Sequence, residues 1–149
     1  MEGKETELAK AALDDQLETM ERLLAQGVSA EAKDENGDPA PVLAAMKGHL
    51  DALKLLRRHG ANLDATDPST GSTALTVAAG NGKADCAEAL LEWGADKDAA
   101  GKYDGNTALH FAAMMGQLEC ARLLVRARAD RAEKNKQGHT ALDLARFEG

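Results

Sequence analysis

The chain of 149 residues has few aromatic residues and few side chains that could cross-link it or coordinate a metal. Phe, Trp and Tyr together make up 3% of the sequence, and there are two cysteines, Cys86 and Cys120. Two cysteines cannot form a disulfide framework, and no Cys-x-x-Cys pair or Cys/His cluster has the spacing of metal ligands. We therefore expect no structural metal and no cofactor.

Long apolar runs are also missing. No stretch approaches the ~18 consecutive apolar residues that a membrane span requires. The first five residues, MEGKE, are charged and lack the apolar segment of a secretory signal. These absences predict a cytoplasmic protein that does not bind membranes, with the nucleus left open as a second compartment.

Basic charge is too scarce for the whole surface to bind nucleic acid, because that affinity comes mainly from Lys and Arg that neutralise phosphates. The net charge is −7, and it is distributed as −6 over residues 1–50, −3 over residues 51–100 and +2 over residues 101–149. A basic run near the C terminus favours a solvated face over contact with an acidic partner, because Asp130 and Glu133 interrupt it. This run comprises Arg122, Arg126, Arg128, Arg131, Lys134 and Lys136.

What the chain does contain is an internal repeat with a period of 33 or 34 residues. Leucines, glycines and pairs of alanines each fall into columns that share one phase, which indicates a repeated structural unit. The leucine column is Leu23, Leu56, Leu90 and Leu124, and the alanine pairs begin at Ala11, Ala44, Ala78 and Ala112. The glycine columns are Gly27, Gly60 and Gly94; Gly37, Gly71, Gly105 and Gly138; and Gly48, Gly82 and Gly116.

Each unit is predicted to hold two short helices followed by a polar, projecting hairpin. Thr73, Thr107 and Thr140 precede the first helices, where a hydroxyl can cap an unpaired backbone amide. The columns of Gly48 and Gly27 are predicted to close the first and the second helices respectively, since glycine readily takes the left-handed conformation. Arg128 stands where such a glycine is expected, so either it becomes left-handed at a cost of roughly 1 kcal/mol or the helix ending is remodelled.

Helices this short are marginal alone, so the units must stack into a solenoid. The alanine pairs are expected to let neighbouring first helices approach closely, while the leucine column fills the space between second helices. We expect the same core to contain Leu50, Leu53, Leu55, Leu118 and Leu123.

Several segments of these units share one recognisable pattern. They are DGNTALHFAA (104–113), GSTALTVAA (71–79), GHTALDLA (138–145) and LLEWGAD (90–96). They resemble the Thr-Pro-Leu-His helix start and the Gly-Ala-Asp ending of ankyrin repeats, over nearly the whole chain. The resemblance implies an all-α, ankyrin-type helical repeat solenoid with projecting β-hairpin loops. Its units are an N-terminal capping repeat (1–33), a repeat with a degenerate helix start (34–66), two repeats (67–100 and 101–134) and a truncated C-terminal repeat (135–149).

Two departures from the family pattern are informative. Pro39 and Pro41 replace the capping Thr and a core Leu of the second unit, which predicts a weakened helix start. The last unit stops at Gly149 without a second helix. That ending favours either a fragment of a longer protein or an end covered by a partner, so we expect a monomer or part of a larger chain.

The sequence does not predict an enzyme. No GxxxxGK[ST] or GxGxxG phosphate-binding motif occurs. Cys86 and Cys120 occupy the same position in consecutive second helices, which favours inert buried thiols over a redox or modification site. The resemblance implies that His110 hydrogen-bonds the neighbouring backbone and the capping Thr107.

The resemblance implies that the hairpin tips and the exposed side of the first helices form a concave face that binds a partner protein or peptide. Interfaces are enriched in Trp, Tyr and Met, and the single Trp and single Tyr stand at positions outside the predicted core. For Trp93 and for one methionine, plain packing is the alternative. The predicted groove is centred on Tyr103, Asn106, Met114, Met115, Asn81 and Trp93, with Met46, Lys47, Asn36 and Ser72 as further contacts.

The predicted function is therefore protein recognition without catalysis, as a scaffold, an adaptor or an inhibitor. The sequence leaves one alternative open, in which the array is a regulatory or spacer segment of a larger enzyme whose catalytic domain lies outside this chain.

Overall fold

The computed structural model describes residues 2–148, and the side chains of residues 3–146. Within this range the chain forms helices and no strand. They are α1 (Glu2–Leu13), α2 (Leu17–Ala25), α3 (Ala40–Lys47), α4 (Leu50–Arg58), α5 (Ala74–Gly80), α6 (Ala84–Glu92), α7 (Ala108–Met114), α8 (Leu118–Arg126) and α9 (Ala141–Glu148).

The helices form two layers. The first helices of the units, α1, α3, α5, α7 and α9, pack side by side, and the second helices, α2, α4, α6 and α8, form the other layer. Each helix pair falls inside one of the unit ranges predicted from the repeat. The all-α solenoid expected from the sequence is therefore confirmed.

Threonine hydroxyls begin three of the first helices, as predicted. The Oγ1 atom of Thr73 accepts a hydrogen bond from the backbone N–H of Thr76 at 3.2 Å, and the Oγ1 atom of Thr76 accepts one from the N–H of Thr73 at 2.8 Å. Thr107 and Thr140 make equivalent reciprocal bonds with the residues three positions further on. These bonds satisfy amides that the helices leave unpaired at their first turn.

The proline-containing start of α3 lacks this cap, yet the helix begins at the position equivalent to the starts of α5 and α7. Pro39 is extended, makes no side-chain capping bond and is followed directly by the first residue of α3. Pro41 lies in the first turn, where the missing N–H costs nothing, and its side chain is fully buried. The predicted weakness is therefore confined to the lost cap.

The repeating apolar columns form one continuous core. All four leucines of the column, Leu23, Leu56, Leu90 and Leu124, have 0% exposure. The alanine pairs lie between neighbouring first helices and are buried, except that Ala113 is partly exposed. Small side chains here allow the helix backbones to approach closely, and the core is thin because it is only two helices deep.

One predicted core residue is exposed. Leu53 and Leu55 are buried, and Leu50 and Leu123 pack against the core from partly buried positions. Leu118, however, is 63% exposed, so the prediction for it is wrong. It lies on the outer side of α8, against which no further second helix packs in the described part of the chain.

Left-handed residues end the helices at the predicted positions. The glycines of the two helix-ending columns, those of Gly27 and of Gly48, have positive φ, and Arg128 takes the same conformation with φ of 66°. The third glycine column, that of Gly37, is also left-handed but lies in the turns. Of the two possibilities for Arg128, the left-handed one is therefore correct. Asp15, with φ of 57°, occupies the position equivalent to Gly48 in the first unit, a substitution that the sequence reading missed.

The hairpins are compact turns rather than paired strands. Among the described residues the one isolated bridge joins Lys33 to Pro39, and other turns close by single backbone bonds such as that from Asp67 N–H to the Ser72 carbonyl. Successive turns are also linked to one another by a carboxylate ladder. In this ladder the backbone N–H of Asn62 donates to the Glu31 carboxylate at 2.6 Å. The backbone N–H groups of Asp96 and Asp130 donate to the Asp64 and Asp98 carboxylates at 2.9 and 2.8 Å, respectively.

Truncating the leucine column should destabilise the whole array. We expect Leu90→Ala to lower the free energy of unfolding by ~2–5 kcal/mol, because it removes a fully buried side chain and leaves a cavity. Leu142→Ala is the matched control: that side chain is 59% exposed, so the loss should stay within about 0.5 kcal/mol. Urea unfolding followed by circular dichroism measures both, and equal losses would contradict the assignment of the core.

The left-handed arginine offers a stabilising substitution. We expect Arg128→Gly to raise the free energy of unfolding by about 1 kcal/mol, since glycine adopts this conformation without the steric cost of a Cβ atom. Gly94→Ala is the opposite substitution at the equivalent position of the preceding unit and should lower the free energy of unfolding. The φ of Gly94 is 85°, and an added Cβ atom would meet no neighbour within 4 Å, so the effect reports the backbone conformation alone. Thermal melts should shift in opposite directions, and a lower melting temperature for Arg128→Gly would refute the explanation.

Candidate binding surface

A shallow apolar groove lies across the exposed side of the first helices, with a volume of about 200 Å³. We call it the first-helix groove. Gly80 makes room for it, because it stands where the neighbouring units have Met46 and Met114, and a Cβ atom at Gly80 would lie 3.4 Å from the Phe111 Cβ. The groove is lined by Met46, Ser72, Thr76, Val77, Gly80, Asn81, Phe111 and Met115.

Two of the predicted contact residues are the most accessible apolar groups of this side. Met115 is 58% exposed at the end of α7, on the wall of the groove, whereas Met114 is half-buried. Tyr103 is also 58% exposed and lies in the turn before α7, with the Lys102 ammonium 5.4 Å from its ring centroid. An exposed apolar side chain at a rigid helix end is suited to contact with another protein.

Two predicted contact residues are buried instead. Asn106 is 8% exposed, and its Oδ1 atom accepts a hydrogen bond from Asn135 Nδ2 at 2.9 Å, so the expectation that it projects from the turn is wrong. Ser72 is 7% exposed and accepts a bond from the Thr70 hydroxyl at 2.8 Å, although it still lines the floor of the first-helix groove. Both amino acids hold the turns together, which is why their side chains point inward.

The remaining positions on this side are exposed but differ in what they contact. Asn81 lines the groove, and its Nδ2 atom donates to the Met46 carbonyl at 3.3 Å, so it also binds α5 to the end of α3. Lys47 is exposed at the last residue of α3, and Asn36 is exposed in the first turn. Of these three residues, Asn81 is the one that lines the groove together with Met115.

The structure does not bring Trp93 into the groove. It lies at the C-terminal end of α6, where it lines a separate cavity of about 490 Å³ together with Lys54, Arg57 and Arg58. The Arg57 guanidinium lies 4.9 Å from the ring centroid, and the indole is partly buried against the core. Packing therefore accounts for this tryptophan, because it belongs to the layer of second helices.

His110 is structural. Its Nδ1 atom accepts a hydrogen bond from the Thr107 N–H at 3.1 Å, and its Nε2 atom lies 2.9 Å from the His139 carbonyl oxygen. Because Nδ1 is an acceptor, the neutral ring carries its proton on Nε2 and donates it to that carbonyl. The buried imidazole thus joins α7 to the following turn, as the resemblance implied.

The cysteines are poor nucleophiles. Cys86 and Cys120 are both buried and both free. Burial raises the pKa of Cys86 to about 11, and the nearby Asp85 carboxylate acts in the same direction. Burial, with Glu119, also raises the pKa of Cys120. The reactive thiolate is therefore scarce at neutral pH.

Four residues that line the groove were not predicted from the sequence, namely Thr76, Val77, Gly80 and Phe111. Val77 and Phe111 occupy equivalent positions of two consecutive units, four residues after the capping threonines, so the repeat alignment could have placed them on one surface. Their side chains are partly exposed because the layer of first helices has no helix covering it from outside.

Asp67 organises the turn beside the groove. Its carboxylate accepts hydrogen bonds from the Thr70 N–H at 2.6 Å, the Thr70 hydroxyl at 2.7 Å and the Ser69 hydroxyl at 3.0 Å. Burial by itself raises the pKa of Asp67. The hydrogen bonds from Thr70 and Ser69, together with a backbone bond from Ser72, lower the pKa by more than burial raises it, so the net pKa lies below its usual value.

This hydrogen-bonded carboxylate should make stability depend on pH. Because the folded-state pKa is below the unfolded value of about 3.9, the ionised group stabilises the fold above that pH and the contribution is lost as pH falls through the folded pKa. We expect Asp67→Asn to lower the free energy of unfolding at pH 7 and the difference from wild type to vanish at low pH. Exposed Asp51→Asn is the control, and a difference that persists in acid would contradict this cause.

Two absences apply to the part of the chain that the structure describes. Within it, no group of three or more His, Cys, Asp or Glu side chains is arranged to hold a metal ion. No helix there has both the length and the apolar composition of a membrane span.

Comparison with known protein families agrees with the geometry. A family model described as three copies of ankyrin repeats matches residues 8–101, and a single ankyrin repeat matches residues 104–136. A search of curated proteins gave no match. The two family matches together include every residue that lines the first-helix groove, whereas Tyr103 lies between the two matched ranges.

Proposed function

Since this chain belongs to the ankyrin repeat family, we propose that it binds a partner protein or peptide through the concave side formed by its turn tips and first helices. Ankyrin repeats are generally protein–protein interaction modules and are typically non-catalytic. The observation that carries the proposal for this chain is Met115, which is 58% exposed on the wall of an apolar groove.

The size of the groove supports a peptide side chain as its occupant. Small-molecule sites usually measure ~300–1,000 Å³, whereas this groove measures about 200 Å³. Met46 and Met115 lie on its walls, and flexible thioethers adapt to apolar groups of different shapes. An apolar side chain of the partner enters between them, while Tyr103 contacts the partner backbone from the neighbouring turn.

Rigidity supports the same proposal. The groove lies on packed helices, and the adjacent turns are fixed by the bonds of Asp67 and Asn106 described above. A surface that is already ordered loses little conformational entropy on binding. The module acts in this proposal as a scaffold, an adaptor or an inhibitor, as a monomer or part of a larger chain, in the cytoplasm or the nucleus.

The alternative is a regulatory or spacer segment of a larger enzyme. It uses the same surface, but the contacted protein is then the catalytic domain of the same polypeptide. The reading frame of the complete gene distinguishes the two possibilities.

The proposal is tested by truncating the groove wall and the turn tip together. We expect Tyr103→Ala/Met115→Ala to reduce capture of the partner from cell extract by at least ~10-fold, since exposed anchors of this kind contribute 1 kcal/mol or more each. Far-ultraviolet circular dichroism and the melting temperature should stay unchanged, because both side chains are more than half exposed.

The matched control replaces two exposed polar residues of the second helices, Glu21→Ala/Lys54→Ala. Captured proteins that the control retains and the double truncation loses identify the groove as their binding site. If both variants capture the same proteins in the same amounts, the concave side is not the binding surface.

A further inference from the structure

A cavity lined by cations and one indole lies between the second helices α4 and α6. Its volume is about 490 Å³, and its lining residues are Lys54, Arg57, Arg58 and Trp93. We call it the tryptophan cavity. It shares no lining residue with the first-helix groove, and it belongs to the two middle helix pairs of the layer of second helices. The tryptophan cavity is therefore a separate surface, formed within the array rather than at either end of it.

The three cations lie on one side of α4. Arg57 and Arg58 follow Lys54 by three and four residues, which is the spacing of neighbours on a helix surface. All three residues are exposed, and within the described part of the chain none of them forms an ion pair or a side-chain hydrogen bond. Basic side chains in the last turn suit the helix dipole, but the donors of both guanidinium groups are left without a protein acceptor.

Two of the lining residues depart from the pattern of the repeat. At the position of Arg57 the other units have apolar residues, which are Leu24, Leu91 and Val125. At the position of Trp93 the other units have smaller side chains, which are Gln26, His59 and Ala127. The repeat therefore demands neither a cation nor an indole at these positions. The two departures meet, since the Arg57 guanidinium lies 4.9 Å from the Trp93 ring centroid.

Trp93 gives the cavity an aromatic wall. Its indole packs against the core but remains partly exposed, so packing does not use the whole ring. Aromatic rings stack favourably on an indole and on a guanidinium group. A ligand that carries an aromatic ring can therefore contact Trp93 and Arg57 together.

Acidic side chains nearby limit the kind of anion that fits. Lys54 and Trp93 also line a neighbouring cavity of about 270 Å³, together with three carboxylates of α6, which are Asp85, Glu88 and Glu92. These carboxylates offset the charge of Lys54, so the two arginines are the main anion donors. Single-stranded nucleic acid requires a basic groove that follows its backbone, and here it would meet the acidic α6. A single anionic group avoids this repulsion.

We propose that the tryptophan cavity binds a phosphotyrosine side chain of a partner protein. A phosphoryl group carries nearly two negative charges at neutral pH and offers three acceptor oxygens, and arginines bind it through charge-assisted hydrogen bonds. Arg57 and Arg58 hold the phosphoryl group, while the phenyl ring packs on Trp93. A phosphoserine or a carboxylate would pair with the arginines but leave the indole without a contact.

The size of the cavity agrees with this occupant. Its 490 Å³ lie within the ~300–1,000 Å³ of sites that enclose a whole ligand group. The first-helix groove, with about 200 Å³, is smaller and has no cation in its lining. The two surfaces therefore select different chemistry, and the proposal for the tryptophan cavity does not rest on the one for the groove.

The fluorescence of Trp93 provides a direct measurement, because it is the only tryptophan in the chain. The probe is a short alanine peptide with one central phosphotyrosine, and matched peptides carry phosphoserine or unmodified tyrosine. We expect the phosphotyrosine peptide to bind the full chain at least ~10-fold more tightly than the tyrosine peptide. It should bind about 3-fold or more tightly than the phosphoserine peptide, because of the contact between the rings.

Variants of the two arginines test the phosphoryl contact. We expect Arg57→Leu and Arg58→Gln each to weaken binding of the phosphotyrosine peptide at least ~10-fold. Arg57→Leu installs the residue that α6 has at the equivalent position, so the fold tolerates it. The matched control is Arg126→Gln, which removes the charge equivalent to Arg58 from α8, outside the cavity, and should leave the affinity unchanged. Circular dichroism checks the folding of all three variants.

Variants of Trp93 test the aromatic wall, with calorimetry in place of fluorescence. Trp93→Leu should remove the preference for phosphotyrosine over phosphoserine, whereas Trp93→Phe, which keeps an aromatic ring, should retain it. A merely structural role of Trp93 would change the melting temperature without changing this preference.

Four results would overturn the proposal. Equal binding of the tyrosine and phosphotyrosine peptides removes the phosphoryl site, and equal binding of the two phosphorylated peptides removes the aromatic selectivity. Tighter binding of oligothymidylate that is lost in Arg58→Gln would make single-stranded nucleic acid the occupant. Inorganic phosphate that competes as well as the phosphotyrosine peptide would reduce the cavity to a site for small anions. Tyr103→Ala/Met115→Ala should bind the peptide like the wild type, so these results are independent of the test of the groove.

Discussion

The structure depends on one contact, the side-by-side packing of neighbouring helix pairs. Helices of 7 to 12 residues do not hold together alone, so every unit draws its stability from the next. Alanine pairs set the spacing between first helices, and the leucine column, with other buried side chains of the second helices such as Leu53, fills the space between second helices. Polar bonds reinforce the same junctions, through the carboxylate ladder between turns and through the His110 imidazole, which links α7 to the following turn.

Much of the fold could be predicted because stacking imposes one environment on each column. Whatever occupies the position of Leu56 must be large and apolar, and whatever occupies the position of Gly60 must tolerate a left-handed backbone. Arg128 shows that this constraint acts on the backbone rather than on residue type, since it takes the glycine conformation without being glycine. The exposure of Leu118 could not be predicted from the repeat pattern. Exposure depends on whether another second helix packs against α8, and the periodicity of the sequence does not indicate this.

The candidate binding surface could be predicted only in outline. Residue type suggested Tyr103 and Met115, and both are exposed. Residue type also suggested Asn106 and Trp93, but the hydrogen bond of Asn106 to Asn135 and the packing of Trp93 against Arg57 arise from contacts between units. Gly80 could not be predicted for the opposite reason: it shapes the groove by lacking a side chain, so its residue type gives no indication of a contact.

Two residues other than glycine, Asp15 and Arg128, have a left-handed backbone, and their positions affect where the array unfolds locally. Asp15 belongs to the first unit and Arg128 to the unit before the last helix, so backbone strain is concentrated towards both ends of the array. Within the described residues, the first unit and the unit of α9 each pack against a single neighbouring unit. Fraying should therefore begin at the extremities and advance inward, and the central units around α5 and α6 should be the last to exchange their amide hydrogens with solvent.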